Sequence, residues 1–132
     1  MWLLDTDTIS HAMRANPGVL DQLERAGQTP CMVSVLTVYE LGFGIRRSPK
    51  PGPLATSLGA IQHLLQGLPI DHRIAHQAGR IRADLATQGR DIGPIAPLIA
   101  ATALRHGLVL VTGSTGHFIH IDGLQLEDWI AR

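Results

Sequence analysis

An alternation runs the length of the chain. Short apolar runs stand at residues 2–4, 31–33, 68–70, 108–111 and 124–126, with longer stretches of helical spacing between most of them. Runs of three or four residues bounded by polar or turn residues suit buried strands. A helix between two strands makes a crossover, and a crossover brings the next strand in parallel to the last. The pattern therefore predicts a three-layer α/β/α domain around a mainly parallel central sheet, spanning residues 1–132 as one unit. In such sheets ligands gather beyond the carboxyl ends of the strands, so the residues just after each apolar run are the first candidates for chemistry.

The intervening segments carry their own signals. Helices are expected around residues 8–13 and 17–26, and Ser34 stands where it can cap a helix over 35–45. The proline-rich stretch Ser48-Pro49-Lys50-Pro51-Gly52-Pro53 predicts a connection, followed by a helix at 54–65. Ile74, Ala78, Ile81 and Leu85 recur at helical spacing within 72–87, and Gly89 closes that segment. Pro94 suits the first turn of a further helix, which Gly107 ends.

With 132 residues, 45% of them apolar, the chain is long enough for one packed core. Lys and Arg total 11, as do Asp and Glu, so overall charge carries no nucleic-acid or membrane signal. Two local groups, Arg73, Arg80, Arg82 and Arg90 on one side and Arg46, Arg47 and Lys50 on the other, suit either nucleic-acid contact or an ordinary solvated face. The lone Cys31 excludes an internal disulfide and a multi-cysteine zinc site, and its apolar neighbours suggest a packed thiol. No apolar stretch approaches the roughly 18–20 residues of a bilayer span. The opening Met1-Trp2-Leu3-Leu4-Asp5 lacks the basic and long apolar regions of a secretory signal. A reducing cytoplasmic setting is the expectation.

Asp5 follows the first apolar run directly, and Glu40 lies on the helix after the second. Acids so placed can converge on one Mg²⁺ or Mn²⁺, hard ions that prefer carboxylate oxygen and suit phosphodiester hydrolysis. The spacing equally allows ordinary roles: Asp7 as a helix N-cap and Glu40 as an exposed helix residue. His72 and His76, four apart, read as a metal pair or as a solvent-facing pair, and no third ligand is evident. His117 and His120 flank Phe118 and suit a rim or structural role, while Trp2 and Trp129 suit packing. Ser114 has no nucleophile elbow around it, and no glycine-rich phosphate loop occurs.

Taken in order, several segments carry a family likeness. Leu3-Leu4-Asp5-Thr6-Asp7-Thr8-Ile9-Ser10, Val38-Tyr39-Glu40-Leu41-Gly42, Ile92-Gly93-Pro94 leading into Leu98-Ile99-Ala100-Ala101, Val111-Thr112-Gly113-Ser114 and the ending Gly123-Leu124 to Asp128-Trp129 follow one another as family motifs do. The chain resembles PIN-domain ribonucleases of the VapC toxin family of type II toxin–antitoxin systems. The resemblance implies a PIN fold and an RNA endonuclease whose clustered acids bind Mg²⁺ or Mn²⁺. It also implies a homodimer and a small VapB-type antitoxin that covers the acidic groove.

Carried over position by position, the resemblance makes Asp5 and Glu40 metal ligands, with Thr6 or Thr112 supporting them by hydrogen bonds. It also marks two departures. The family's third acid falls on Ala96, and its fourth position, often Asp or Asn, falls on Ser114. A methyl donates no oxygen and a hydroxyl carries no charge, so the resemblance implies a poorer cage and impaired catalysis. An engineered silencing and a natural loss both account for Ala96, and a PIN-fold module that binds antitoxin or RNA without cutting is the rival reading.

Overall fold

The computed structural model describes all 132 residues. Strands β1 (Trp2–Leu4), β2 (Cys31–Ser34), β3 (Leu65–Leu68), β4 (Val109–Val111) and β5 (Leu126–Glu127) form one parallel sheet in the order β3-β2-β1-β4-β5. The first strand is thus the central one. It pairs with β2 through Trp2 opposite Cys31 and with β4 through Leu4 opposite Val111.

Strand side chains alternate between faces, and the core divides accordingly. On one face Leu4, Val33 and Val111 pack with α1 (Thr6–Met13), α2 (Pro17–Ala26) and α3 (Val35–Arg47), and Leu54 and Leu58 of α4 (Pro51–Ile61) lie against that cluster. On the other face Leu3 and Leu110 pack with α5 (His72–Thr87), α6 (Ala96–His106) and α7 (Thr115–Phe118). The expected three layers follow from this division. Ala100, Ala101 and Ala103 on α6 are fully buried, and their small size lets α5 and α6 approach closely. Cys31 is buried, as its neighbours suggest. No helix is long and apolar enough to cross a membrane.

Several boundaries differ from expectation. The third strand is Leu65–Leu68 rather than 68–70, because Pro69 has no amide to give a ladder and the pairing with β2 starts three residues earlier. Helix α4 begins inside the proline-rich stretch, at Pro51, where a missing N–H is harmless, and a short 3₁₀ turn (Gln62–Leu64) follows it. Helix α6 begins at Ala96 rather than Pro94: Gly93 has φ +86° and its amide is bound by the Asp91 carboxylate, so residues 93–95 turn before the helix starts. The final strand is Leu126–Glu127 rather than 124–126, and α7 carried no periodic signal.

Candidate active site

Beyond the carboxyl end of β1 lies a cleft of about 590 Å³. Its walls include Asp5, Thr6, Asp7, Glu40, Ala96 and Ser114. Asp5 leaves β1 and caps α1, with Oδ1 accepting from the Thr6 amide at 2.8 Å. Its second oxygen, Oδ2, accepts from Thr112 Oγ1 at 2.9 Å, a residue at the end of β4. Glu40 reaches the same place from α3, and its Oε1 accepts from Thr6 Oγ1 at 2.7 Å. Thr6 therefore holds both acids, one by its backbone and the other by its side chain. Ser34 makes the approach of α3 possible by capping it through the Leu36 amide at 3.1 Å.

Asp7 is not the helix cap that its spacing suggested. Helix α1 starts two residues earlier than expected, so Asp5 takes the cap and Asp7 falls in the first helical turn. There its Oδ2 accepts from the Gly113 amide at 2.9 Å and from Ser114 Oγ at 3.4 Å. Asp7 thus ties the loop after β4 to α1. Gly113 is suited to this closeness: an added Cβ would lie 2.8 Å from Asp7 Oδ2 and 2.5 Å from Ile130 Cδ1.

Three carboxylates on one wall repel one another. Burial, then the charge of Asp7, and to a smaller degree that of Glu40, push the Asp5 carboxyl up to about 6 against the opposing hydrogen bonds from Thr6 and Thr112. Such a cluster favours a cation. Asp5 and Glu40 offer hard oxygen donors, while Ala96 and Ser114 contribute no carboxylate on the opposite side, and nowhere do three His, Cys, Asp or Glu side chains form a ready metal cage. The donor set fits an ion that keeps much of its water, as Mg²⁺ does when held by one or two carboxylates.

Most other residues singled out in the sequence lie apart from this cleft. His72 and His76 share an exposed face of α5 with Arg73, Arg80 and Asp84, and no further metal-binding side chain joins them. His120 borders a separate hollow, while His117 lines the cleft itself. Asp91 is engaged by Arg82 at 3.0 Å, which holds its carboxyl below the usual range. Trp2 and Trp129 pack edge to face at 5.6 Å, and Trp2 Nε1 donates to Glu127 at 2.8 Å. Sequence reasoning missed Ser10, His11 and Arg14, which follow Asp7 at intervals of three, four and seven and line the cleft. That spacing is the signal that could have found them.

Comparison with known proteins agrees with this geometry. The family model for the PIN domain matches residues 2–124. The chain is 31% identical to the tRNA(fMet)-specific endonuclease VapC of Shigella flexneri, over 97% of both chains. It is 33% identical to the protein of the same name from Salmonella typhimurium, again over 97% of both. Among solved structures, VapBC2 from Rickettsia felis, bound to a DNA fragment from its promoter, superposes with a TM-score of 0.88 at 25% identity, covering 97% of this chain and 98% of that one.

Proposed function

Because the chain belongs to the PIN-domain family, and within it to the VapC ribonucleases, we propose that it is the toxin of a type II toxin–antitoxin pair, an RNA endonuclease by descent that uses Mg²⁺ or Mn²⁺ in the cytoplasm. The observation that carries this reading is the double grip of Thr6, whose amide binds Asp5 and whose hydroxyl binds Glu40. Two acids from separate elements are thereby fixed side by side, as an ion-binding pair needs.

Asp5 and Glu40 are the residues that would hold the ion. Bound there, it would supply positive charge to a phosphodiester and acidify water for attack on phosphorus. The chain's own side chains prepare the ground. Thr112 keeps the Asp5 carboxylate from rotating, and the Thr6 bond to Oε1 leaves Oε2 of Glu40 free to face the cleft. Ile92, Ile95 and Ile99 give the cleft an apolar side, and charge interactions are stronger beside apolar surface than in open water. Ala96 and Ser114 leave the cage incomplete, and impaired cleavage follows from their neutrality.

A VapB-type antitoxin is the proposed partner, on the model of the VapBC relatives, with this chain as a homodimer. A basic side chain from that partner, set among the carboxylates, would replace the charge of the metal. The second reading, a PIN-fold module that binds antitoxin or RNA without cutting, is favoured by Ala96 and Ser114.

One experiment separates the two. RNA cleavage is measured with Mn²⁺ or Mg²⁺ for this chain, for Ala96→Asp, and for Ala96→Asp with Asp5→Ala. Initiator tRNA is the first substrate to try, since two relatives are named for it. Cleavage by Ala96→Asp alone identifies a ribonuclease silenced at one position. Equal cleavage by the unaltered chain means that Asp5 and Glu40 suffice. No cleavage by any form, even after Ser114→Asp is added, favours the binding module.

A further inference from the structure

The cleft is bipolar. Its acidic floor of Asp5, Asp7 and Glu40 faces along α1 into a wall formed by His11 and Arg14. Asp7 and His11 lie one turn apart on one face of α1, and Arg14, its C-cap, follows at i+7 and lines the same cleft. Arg14 is exposed, makes no ion pair, and gives its guanidinium only a long 3.5 Å contact to the Ser10 carbonyl. Asp128, an acid within electrostatic reach of His11, is already bound by Arg132 at 2.7 Å. A cationic head lining a cleft and left without an anion is poised for an anion from outside.

We propose that Arg14, assisted by His11, binds a backbone phosphate of the RNA strand next to the one lying over Asp5 and Glu40, and so sets the register of the substrate in the cleft. This inference rests on the proposed nuclease reading. An acidic floor repels a polyanion wherever no cation covers it. A strand can enter only if part of the cleft attracts it directly, and Arg14 supplies that attraction. Arg14, the C-cap of α1, stands seven positions after Asp7, about 10 Å along the axis at 1.5 Å per residue. The two ends of the cleft therefore meet different phosphates. Arg14 suits the task because its planar fork matches two phosphate oxygens at once. His11, one turn nearer the floor, offers a ring N–H to the same linkage. An acidic peptide would satisfy Arg14 as well, but it would gain nothing from the carboxylates beside it, whereas RNA brings its reacting phosphate to them.

The test uses the full chain in EDTA, so that binding is read without cleavage, with a fluorescein-labelled RNA hairpin carrying a single-stranded loop. Anisotropy gives the affinity at several salt concentrations for the unaltered chain, Arg14→Ala, Arg14→Lys and His11→Ala, each first checked for an unchanged Tm. Arg14→Ala is expected to weaken binding roughly five- to twenty-fold and to lower the salt slope by about 0.7, the loss of one phosphate contact on a single strand. Arg14→Lys should restore the slope but only part of the affinity. In the cleaving Ala96→Asp background, Arg14→Ala should raise KM more than it lowers kcat. If the unaltered chain binds RNA and Arg14→Ala binds equally well with the same slope, the inference is wrong while the nuclease reading stands. A weakened Arg14→Ala with an unchanged slope and no rescue by Lys marks a structural role and also overturns it. With labelled polyglutamate titrated in parallel, loss of its binding by Arg14→Ala without loss of RNA binding assigns the wall to an acidic peptide instead and overturns the inference. An unaltered chain that binds no RNA in EDTA also overturns the inference, because Arg14 then fails to attract the strand unaided, while the nuclease reading is judged separately by cleavage with Mn²⁺ or Mg²⁺.

Discussion

The carboxylate of Asp7 accepts a hydrogen bond from the amide of Gly113 at 2.9 Å, across 106 positions of sequence. The bond fastens the loop after the fourth strand to the helix after the first, and it leaves no room for a side chain at Gly113. Gly113→Ala is expected to destabilise the fold by about 1–3 kcal/mol through overpacking against Ile130 and Asp7. Asp7→Ala should cost about 1–3 kcal/mol by stranding the amide. Because the two residues touch, the double variant should lose less than the sum. Urea unfolding of the three variants measures this, and strict additivity would refute the coupling.

Asp5 makes the metal-free protein less stable as pH rises. Its folded pKa of about 6 lies above the ordinary value of 3.8, so between those limits the folded state holds more protons than the unfolded one. Stability present below pH 4 is then lost as pH climbs through 6, by roughly 1–3 kcal/mol, and stays level above. Asp5→Asn should remove the slope and leave the variant the more stable protein at pH 7–8 in EDTA. Denaturation midpoints from pH 4 to 8 decide the matter. A parent that gains stability between pH 4 and 6 relative to Asp5→Asn would reverse the sign.

Removing the hydroxyl that steadies Glu40 should weaken the ion without unfolding the chain. Thr6→Val is expected to reduce Mn²⁺ affinity about 10-fold, in the range typical of groups that orient metal ligands. Calorimetric titration of Mn²⁺ into the two proteins reads this directly. Unchanged affinity would mean that Glu40 needs no support from Thr6.

Ala15 ends α1 with φ +60°, a left-handed conformation that disfavours any residue with a Cβ. Ala15→Gly should stabilise the fold by about 0.5–1 kcal/mol, the relief of strain exceeding the added freedom of the unfolded chain. A rise in Tm of a few degrees is the expected readout, and a fall would show that the turn is not strained.

The legible parts of this molecule are those whose cause is local. Trp2–Leu4, Cys31–Ser34 and Val109–Val111 are the three inner strands, buried on both faces, and each shows in the sequence as an apolar run. The edge strand β3 contains Gln66 and Gly67, both exposed, and is a strand because β2 pairs with it; no run of residues announces that. Helix starts failed for a similar reason. Asp5 and Asp7 are both good caps by type, and only the position of Val111 and Thr112, more than a hundred residues away, decides that Asp5 takes the cap and Asp7 reaches the loop. Asp5 and Glu40 stood out through their motifs. His11 and Arg14 belong to no motif, and their shared wall emerges once α1 is known to face the cleft.

The central place of the first strand governs when the cleft can exist. Strand β1 is made first, yet half of its hydrogen-bonding edge waits for β4, and the Asp5 carboxylate waits for Thr112. A ribosome that has made a hundred residues has made the acids but not the side of the cleft that holds them, and such long-range closure is slow even afterwards. Nascent fragments of this chain therefore carry no working centre. The cleft is completed in one step once β4 and Thr112 have joined β1, which gives a protective partner a single moment at which to be on hand.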